Sequence, residues 1–371
     1  METKFNVPQR ELVSLLAAMQ PICSKRTTLD VTESILFQIT PRELTLKGTD
    51  LEISLRSTLP LEKNNIENST FLVSGKRIFD LVRELDGIIE FEIQKTQLKL
   101  NAKGVNLALN IRDAKDFPPF PERIENLMDI DSSFLQALLG KVAFLIPQNH
   151  SNSALNGMYL LFDESGMSMV ATDGHCLAQI QSKEYTLAEK KEWLIPRRAI
   201  LEIRKILENS EIKKIFLGTC GNQLVFSGSN FNFFTKLLSE KFPQYKPILN
   251  KEGFSPAVLA KEEIVKTLKR ANCFLAGQFI STKFKFAPGK LDLSLHNKEV
   301  GKLEETLSLN SFDGQDLESR FYSPYLLNGL SVFSEKELKF YVKNTDRPII
   351  FESDQEAYNF TYLVMPVSAQ K

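Results

Sequence analysis

A succession of helices and strands recurs three times along this chain, with a period of about 125 residues. Each repeat contains two amphipathic segments with apolar residues on one helical face, and each segment precedes three short runs with strand-like alternation. The predicted helices span residues 9–20, 76–86, 132–144, 197–207, 261–274 and 324–333. A repeat of this length has the size of a domain, not of one layer of a solenoid. The sequence therefore predicts an α+β chain of three similar domains, each with two helices packed on β-sheets.

Two proline-rich stretches separate the repeats. One reads Phe-Pro-Pro-Phe-Pro at 117–121, and the other runs from 242 to 256. Proline favours turns and connections over the interiors of helices and strands. We therefore expect domains at residues 1–124, 125–254 and 255–371.

The charge of the chain is balanced overall but uneven along it. Lysine and arginine number 46, as do aspartate and glutamate, so the formal net charge is zero. The helical segments 197–208 and 261–270 nevertheless each carry four basic and two acidic side chains. On a helical wheel, Arg198 and Lys205 lie opposite the apolar side of their helix, which predicts an exposed basic face. Such a face suits phosphate contact on one surface, although it is also typical of an ordinary solvated helix.

Composition and motifs exclude several classes of protein. The apolar fraction of 43% is that of a globular protein, and no apolar run reaches the roughly 18 residues of a membrane span. The four cysteines are widely spaced, and the three histidines belong to no metal-binding motif. No signal peptide is recognised at the start of the chain. We therefore expect a cytoplasmic protein that uses no metal and no cofactor.

One segment could carry chemistry, namely the run Thr-Asp-Gly-His-Cys at 172–176. Asp173 and His175 could form an acid–base pair, with Cys176 as a nucleophile, and this hydrolase remains one alternative. However, Asp-Gly between two alternating apolar runs is first a hairpin signal. The first repeat has a counterpart, Gly-Thr-Asp at 48–50, which favours an architectural turn.

That segment also resembles the most recognisable part of bacterial DNA sliding clamps, the beta subunits of DNA polymerase III. Similar segments occur in the order and at the spacing of that family over nearly the whole chain. They are GTDLE at 48–52, DFP at 116–118, LNGM at 155–158, VATDGH at 170–175, IPR at 195–197, KFPQY at 241–245 and YLVMPV at 362–367. Each is weak alone, but together they are highly specific.

The resemblance implies a ring made by a head-to-tail dimer, with helices lining the hole and duplex DNA threaded through it without sequence preference. It implies a processivity factor with no catalytic residues and no cofactor. The implied partners are duplex DNA, the DNA polymerase III catalytic subunit, the clamp-loader complex and other clamp-motif proteins of replication and repair, with no membrane contact. A neutral net charge is then reasonable, because only the channel meets phosphate.

The resemblance also assigns residues to three sites. The DNA contacts would be Arg26, Gln148, Asn149, Arg197 and Arg198. The pocket for an apolar partner peptide would comprise Leu155, Thr172, Gly174, His175, Leu177, Pro243, Tyr325, Pro348, Val364, Met365 and Pro366. The dimer interface would pair Leu107 and Leu109 with Phe274 and Leu275. The alternative for Leu155 and Val364 is plain core packing.

The chain departs from the family pattern near the pocket. Cys176 replaces the arginine that usually follows Asp-Gly-His, and Pro247 stands where an arginine or similar residue often lies. Ser153 and Ala154 occupy positions that are aromatic in some relatives, and the tail continues through 368–371. We therefore expect a less basic pocket, in which acidic flanks on a bound peptide contribute less.

A second alternative is a β-rich repeat scaffold that binds proteins but never DNA. It would explain the repeat and the neutral charge, but it gives no reason for the basic helix faces. Binding to nicked circular DNA that is lost on linearisation would distinguish a clamp from such a scaffold.

Overall fold

The computed structural model describes residues 3–62, 67–121, 123–208 and 212–367. The tail at 368–371, noted above as a departure, lies outside the described residues. The Cα positions divide the chain into two compact units. The first comprises Met1–Ala137 with Arg198–Leu237, and the second comprises Leu138–Arg197 with Leu238–Lys371.

The secondary structure follows the threefold repeat. The first repeat contains β1 (Thr3–Pro8), α1 (Gln9–Cys23), β2 (Ser34–Ile39), β3 (Glu43–Thr49), β4 (Ile53–Pro60), β5 (Ser69–Ser74), α2 (Gly75–Val82), β6 (Ile88–Ile93), β7 (Gln97–Ala102) and β8 (Val105–Asn110). The second contains β9 (Glu125–Asp131), α3 (Ser132–Ala143), β10 (Gly157–Asp163), β11 (Gly166–Thr172), β12 (Cys176–Ser182), β13 (Lys191–Pro196), α4 (Arg197–Glu208), β14 (Lys214–Cys220), β15 (Gln223–Ser227) and β16 (Phe231–Lys236). The third contains β17 (Ser255–Ala260), α5 (Lys261–Cys273), β18 (Thr282–Ala287), β19 (Lys290–Asn297), β20 (Gly301–Ser308), β21 (Ser311–Phe312), β22 (Leu317–Phe321), α6 (Ser323–Leu330), β23 (Glu337–Val342), β24 (Ile349–Asp354) and β25 (Asn359–Val364).

All the predicted helices are present, and each is followed by the expected strands. The sequence did not reveal the strand that precedes each helix, which is β1, β5, β9, β13, β17 or β22. The repeating element is thus one strand, a helix and further strands, and it occurs twice within each repeat. None of the helices in the described part of the chain has the length and apolarity needed to cross a membrane.

The first unit contains two antiparallel sheets. One has eight strands in the order β5-β2-β3-β4-β16-β15-β14-β9, and the other has four in the order β1-β6-β7-β8. In the larger sheet, β4 of the first repeat pairs with β16 of the second, with Ile53 opposite Thr235. Helix α1 covers this unit's core with a buried stripe that includes Leu12, Leu16 and Met19.

The second unit is built in the same way. Its larger sheet has nine strands in the order β13-β10-β11-β12-β25-β24-β23-β17-β21, and its smaller sheet has the order β20-β19-β18-β22. Strand β12 of the second repeat pairs with β25 of the third, which sets Cys176 opposite Val364 and Leu177 opposite Leu363. Both large sheets therefore continue across the repeat boundaries that we expected near 124 and 254. The division of the chain into domains at these boundaries remains a prediction.

Helix α6 packs against the large sheet of the second unit without space for a side chain at Gly329. A Cβ atom there would lie 1.9 Å from Cε1 of Tyr362. Tyr362 cannot easily move, because its ring is fully buried and its hydroxyl donates a hydrogen bond of 2.7 Å to the Tyr325 carbonyl oxygen. The glycine thus sets the distance between α6 and β25.

We predict that Gly329→Ala lowers the free energy of unfolding by about 1–3 kcal/mol, because the added methyl group overpacks a rigid site. The matched control is Asn328→Ala, at the preceding, exposed position of the same helix. Urea unfolding followed by circular dichroism compares the two variants. Equal midpoints for Gly329→Ala and the wild type would contradict this close approach.

Candidate functional site

The segment at 172–176 forms a tight turn between β11 and β12. One carboxylate oxygen of Asp173, Oδ1, accepts hydrogen bonds from the backbone N–H of His175 at 2.9 Å and of Cys176 at 2.7 Å. The Thr172 hydroxyl donates to the Cys176 carbonyl oxygen at 2.6 Å. Gly174 has a φ of 86°, a conformation that favours glycine. The turn is therefore architectural, as its hairpin pattern predicted.

The first repeat contains the same turn between β3 and β4. Asp50 Oδ1 accepts from the backbone N–H of Glu52 at 3.0 Å and of Ile53 at 2.8 Å, and Thr49 donates to the Ile53 carbonyl oxygen at 3.1 Å. The position that corresponds to the glycine is Leu51, which adopts a φ of 74°. The counterpart that we predicted at 48–50 is thus confirmed as the same structural element.

The turn at 172–176 presents two exposed residues, Gly174 and His175, beside α6. The His175 ring stacks on Tyr325 with 5.4 Å between ring centroids. The His175 carbonyl oxygen accepts a hydrogen bond of 2.8 Å from the Met365 backbone N–H. A Cβ on Gly174 would lie 3.9 Å from Leu155 Cδ1, so this leucine also lies close to the turn. These contacts bring together pocket residues that lie far apart in sequence.

A cluster of apolar side chains, here called the apolar floor, lies next to the turn at 172–176. Its buried members are Val170, Leu177, Tyr245, Ile350 and Leu363, and Phe242 and Met365 pack against them as half-buried side chains. Among the predicted pocket residues, Leu155 and Val364 are almost fully buried, with 5% and 0% exposure, so both also serve as core. Thr172 and Pro348 are buried, Pro243 is exposed, and Pro366 is half-buried beside Met365.

The pocket prediction missed an aromatic cluster that fixes the connection after the second repeat. Tyr159 of β10 stacks on Phe242 with 5.2 Å between centroids, and Tyr245 meets both rings edge-on. The Tyr159 hydroxyl also donates to Glu192 at 2.7 Å. The aromatic residues at 242 and 245 were visible in the sequence, but their partner on β10 is more than 80 residues away.

The hydrolase alternative fails on geometry. Cys176 is 1% exposed, and burial, assisted by the nearby Asp173 carboxylate, raises the pKa of its thiol far above the ordinary value. His175 stacks on Tyr325, and Asp173 uses Oδ1 to hold the backbone of the turn. A thiol that stays protonated is a poor nucleophile. No group of potential metal ligands occurs among the described residues either.

In the first unit, two residues assigned to DNA contact differ in their surroundings. Arg26 is exposed just beyond α1. Arg198 Nη1 binds Asp50 Oδ2, and its Nη2 donates to the Pro21 carbonyl oxygen at 3.1 Å. The side chain of Arg198 is only 30% exposed, so the prediction of a freely exposed arginine on this helix face was wrong. The helical wheel could not show a partner from another repeat.

In the second unit, the remaining three residues assigned to DNA contact are neighbours. Gln148 and Asn149 are exposed in the loop after α3. Arg197 is half-buried, and its Nε donates to the Ile146 carbonyl oxygen in the same loop at 2.9 Å. Its backbone N–H donates to the Asn156 carbonyl oxygen, also at 2.9 Å. Arg197 is therefore held against the segment that carries Gln148 and Asn149.

The residues assigned to the dimer interface lie at or near sheet edges. Leu107 and Leu109 are half-buried on β8, which ends the small sheet of the first unit. Phe274 and Leu275 follow α5, near β20 at the end of the small sheet of the second unit. Leu275 is 5% exposed because it packs against Ala271 and Leu295, so its side chain belongs chiefly to the core of its own unit.

We predict that Arg198→Ala lowers the free energy of unfolding by about 1–3 kcal/mol, because it removes the nearer of the two cations beside the buried Asp50 carboxylate. The matched control is Arg26→Ala, whose exposed side chain should contribute about 0.5 kcal/mol or less. Urea unfolding of both variants measures the difference. Two equal values would mean that the ion pair adds nothing to stability.

We also predict that Cys273, which is exposed, reacts with iodoacetamide in the native protein while Cys176 and Cys23 do not. Burial raises the pKa of Cys23 to about 12 and that of Cys176 still further, so neither forms the reactive thiolate near neutral pH. Peptide mass mapping after timed labelling gives the rates, with urea-denatured protein as the control. Labelling of native Cys176 as fast as Cys273 would revive the nucleophile hypothesis.

Comparison with known proteins covers nearly the whole chain. Residues 3–121, 129–244 and 246–368 match the N-terminal, central and C-terminal domains of the DNA polymerase III beta subunit. The beta sliding clamp of Pseudomonas putida is 27% identical over 370 residues, covering 98% of this chain and 99% of the relative. That of Chlamydia pneumoniae is 28% identical over 341 residues, covering 90% and 91%.

Solved structures show the same fold. A sliding clamp from Pseudomonas aeruginosa bound to griselimycin has a TM-score of 0.90 at 24% identity, covering 99% of this chain and 100% of that one. The sliding clamp from Bacillus subtilis has a TM-score of 0.91 at 21% identity, and both chains are covered completely. With the three matched domains in order, this chain belongs to the DNA polymerase III beta subunit family, the bacterial sliding clamps, which are non-catalytic processivity factors of DNA replication.

Proposed function

We propose that two copies of this chain close head to tail into a ring around duplex DNA. The ring would tether the DNA polymerase III catalytic subunit, the clamp-loader complex and other clamp-motif proteins in the cytoplasm. The observation that carries this proposal is that the small sheet of each unit ends in an exposed strand. These strands are β8 and β20, whose residues alternate between exposed and half-buried along most of their length.

An exposed strand edge presents unpaired N–H and C=O groups, which favours pairing with a strand of another chain. Joining β8 of one copy to β20 of the next would satisfy those groups and make one continuous sheet. Leu107 and Leu109 would then pack against Phe274 of the other copy, while Leu275 supports Phe274 from its own core. The same contact occurs twice in a head-to-tail dimer, so two copies close the ring without free edges of this kind.

Contact with DNA would involve Arg26, Gln148, Asn149, Arg197 and Arg198. These side chains offer hydrogen-bond donors to phosphate oxygens, and contacts of that kind carry no sequence information. Enclosure, rather than affinity, would keep the ring on DNA, which fits a formal net charge of zero. The contacts would therefore be independent of sequence and sensitive to salt.

The pocket around the turn at 172–176 would accept a short apolar peptide from each partner. An apolar floor with a few convergent polar groups suits that task. A related clamp binds the ligand griselimycin, so the fold can support such a site. Cys176 and Pro247 remove two positions where relatives often carry basic side chains, and Cys176 is buried. We therefore propose that this pocket binds peptides mainly through apolar contacts.

We predict a solution mass of twice 42.2 kDa and retention on nicked circular DNA that is lost when the DNA is linearised. Leu109→Asp should reduce both, because it places a charge at the open edge of β8. The matched control is Ile88→Asp, an exposed apolar residue at the end of β6 in the same sheet, which should change neither. Light scattering and gel filtration of the DNA complex give the two readouts.

A monomer in light scattering, with DNA binding that does not depend on circular topology, would contradict the ring. A dimer that binds peptide but no DNA would favour the alternative of a protein-binding scaffold.

A further inference from the structure

The two equivalent turns, at 49–53 and 172–176, differ in the side chain that contacts them from a helix of the following repeat. At the second turn, Tyr325 of α6 stacks on His175. At the first turn, Arg198 of α4 binds the Asp50 carboxylate. The backbone hydrogen bonds of the turns are the same, so the difference lies in the side chains that meet them.

The Asp50 side chain is buried in the first unit, and both of its carboxylate oxygens have partners. It has 0% exposure, and its Oδ1 atom accepts two backbone N–H groups of the turn. Only Oδ2 remains, and it faces Arg198, with Lys25 Nζ at 3.9 Å. A carboxylate in this position requires a cation, because an unpaired buried charge is costly.

Arg198 is held at a second point by α1. Its Nη2 donates to the Pro21 carbonyl oxygen, which lies in the last turn of α1, where carbonyl groups lack a partner within the helix. The guanidinium group is planar with donors in a fixed fork, so two anchors determine its orientation. Asp50 and Pro21 together therefore fix the direction in which the remaining N–H groups of Arg198 point.

The ion pair is oriented with its anion inside and its cation outside. The Asp50 side chain has no exposure to solvent, whereas the Arg198 side chain is 30% exposed. A phosphate that approaches from solvent can therefore reach the Arg198 side chain but not the Asp50 carboxylate. Such a pair attracts an anion at short range even though its net charge is zero, because Coulomb energy falls with distance.

We propose that Asp50 is a positioning residue for DNA contact, which acts by holding Arg198 in the orientation that meets a phosphate. This inference rests on the proposed function, in which Arg198 lies on the DNA path. Without the carboxylate, Arg198 would adopt other orientations and its contact with the phosphate would be lost, which reduces both the affinity and the number of counterions released.

The test is Asp50→Asn, compared with Asp173→Asn as the matched control. An asparagine Oδ1 can still accept the two backbone N–H groups at either turn, but only at position 50 does the change remove the partner of an arginine. We expect Asp50→Asn to weaken binding of the dimer to a short DNA duplex about two- to tenfold. The slope of binding against salt should fall by about one phosphate contact. Asp173→Asn should alter neither quantity.

A double-mutant cycle separates positioning from a general structural effect. If Asp50 acts through Arg198, adding Asp50→Asn to an Arg198→Gln variant should produce no further loss of DNA binding. Fluorescence anisotropy over a salt series gives the affinities, and urea unfolding confirms that each variant is folded. An additive loss, an unchanged salt slope or tighter binding by Asp50→Asn would overturn the inference. A wild-type dimer that binds no DNA at low salt would instead refute the proposed function on which it depends.

Discussion

Pairing between strands of successive repeats is the constraint on which this structure depends. A repeat that ended its sheet at β4 or β12 would leave a row of backbone N–H and C=O groups unpaired. Instead, β16 completes the sheet after β4, and β25 completes the sheet after β12. Neighbouring repeats therefore contribute strands to the same sheet. The same pairing brings the last residues of β25 beside the turn at 172–176, which makes the candidate pocket possible.

The same turn occurs in two different surroundings, because its backbone hydrogen bonds are the same while the side chains around it differ. In both copies an aspartate and a threonine provide the hydrogen bonds that close the turn. Gly174 leaves the second copy open next to Leu155, whereas Leu51 adds a side chain at the same place in the first. Where the second copy carries a stacked His175 and Tyr325, the first carries an ion pair. The same backbone turn is therefore found beside a ring stack in one repeat and beside an ion pair in another.

Local periodicity predicted the helices and strands that show an apolar face within their own sequence. All the predicted helices fall into this class, as do the strands that follow them. The strands before the helices were missed, and three of them, β1, β13 and β17, contain proline, which weakens a strand pattern. Pairing across repeats left no local signal either, since Ile53 and Thr235 meet only in the folded chain.

The candidate site shows where prediction from sequence ends. Resemblance to the family selected His175, Tyr325 and Met365, which the fold does bring together, although nothing in their spacing indicates it. For Arg198 the helical wheel was not sufficient, because a wheel shows which side of a helix is apolar but not which residues of other elements contact it. The partner of Arg198 lies 148 residues away in sequence and is itself buried. A charge that looks free in one repeat can therefore be fixed by the next, and in a chain of fused repeats the interactions between repeats decide which charges remain available to a ligand.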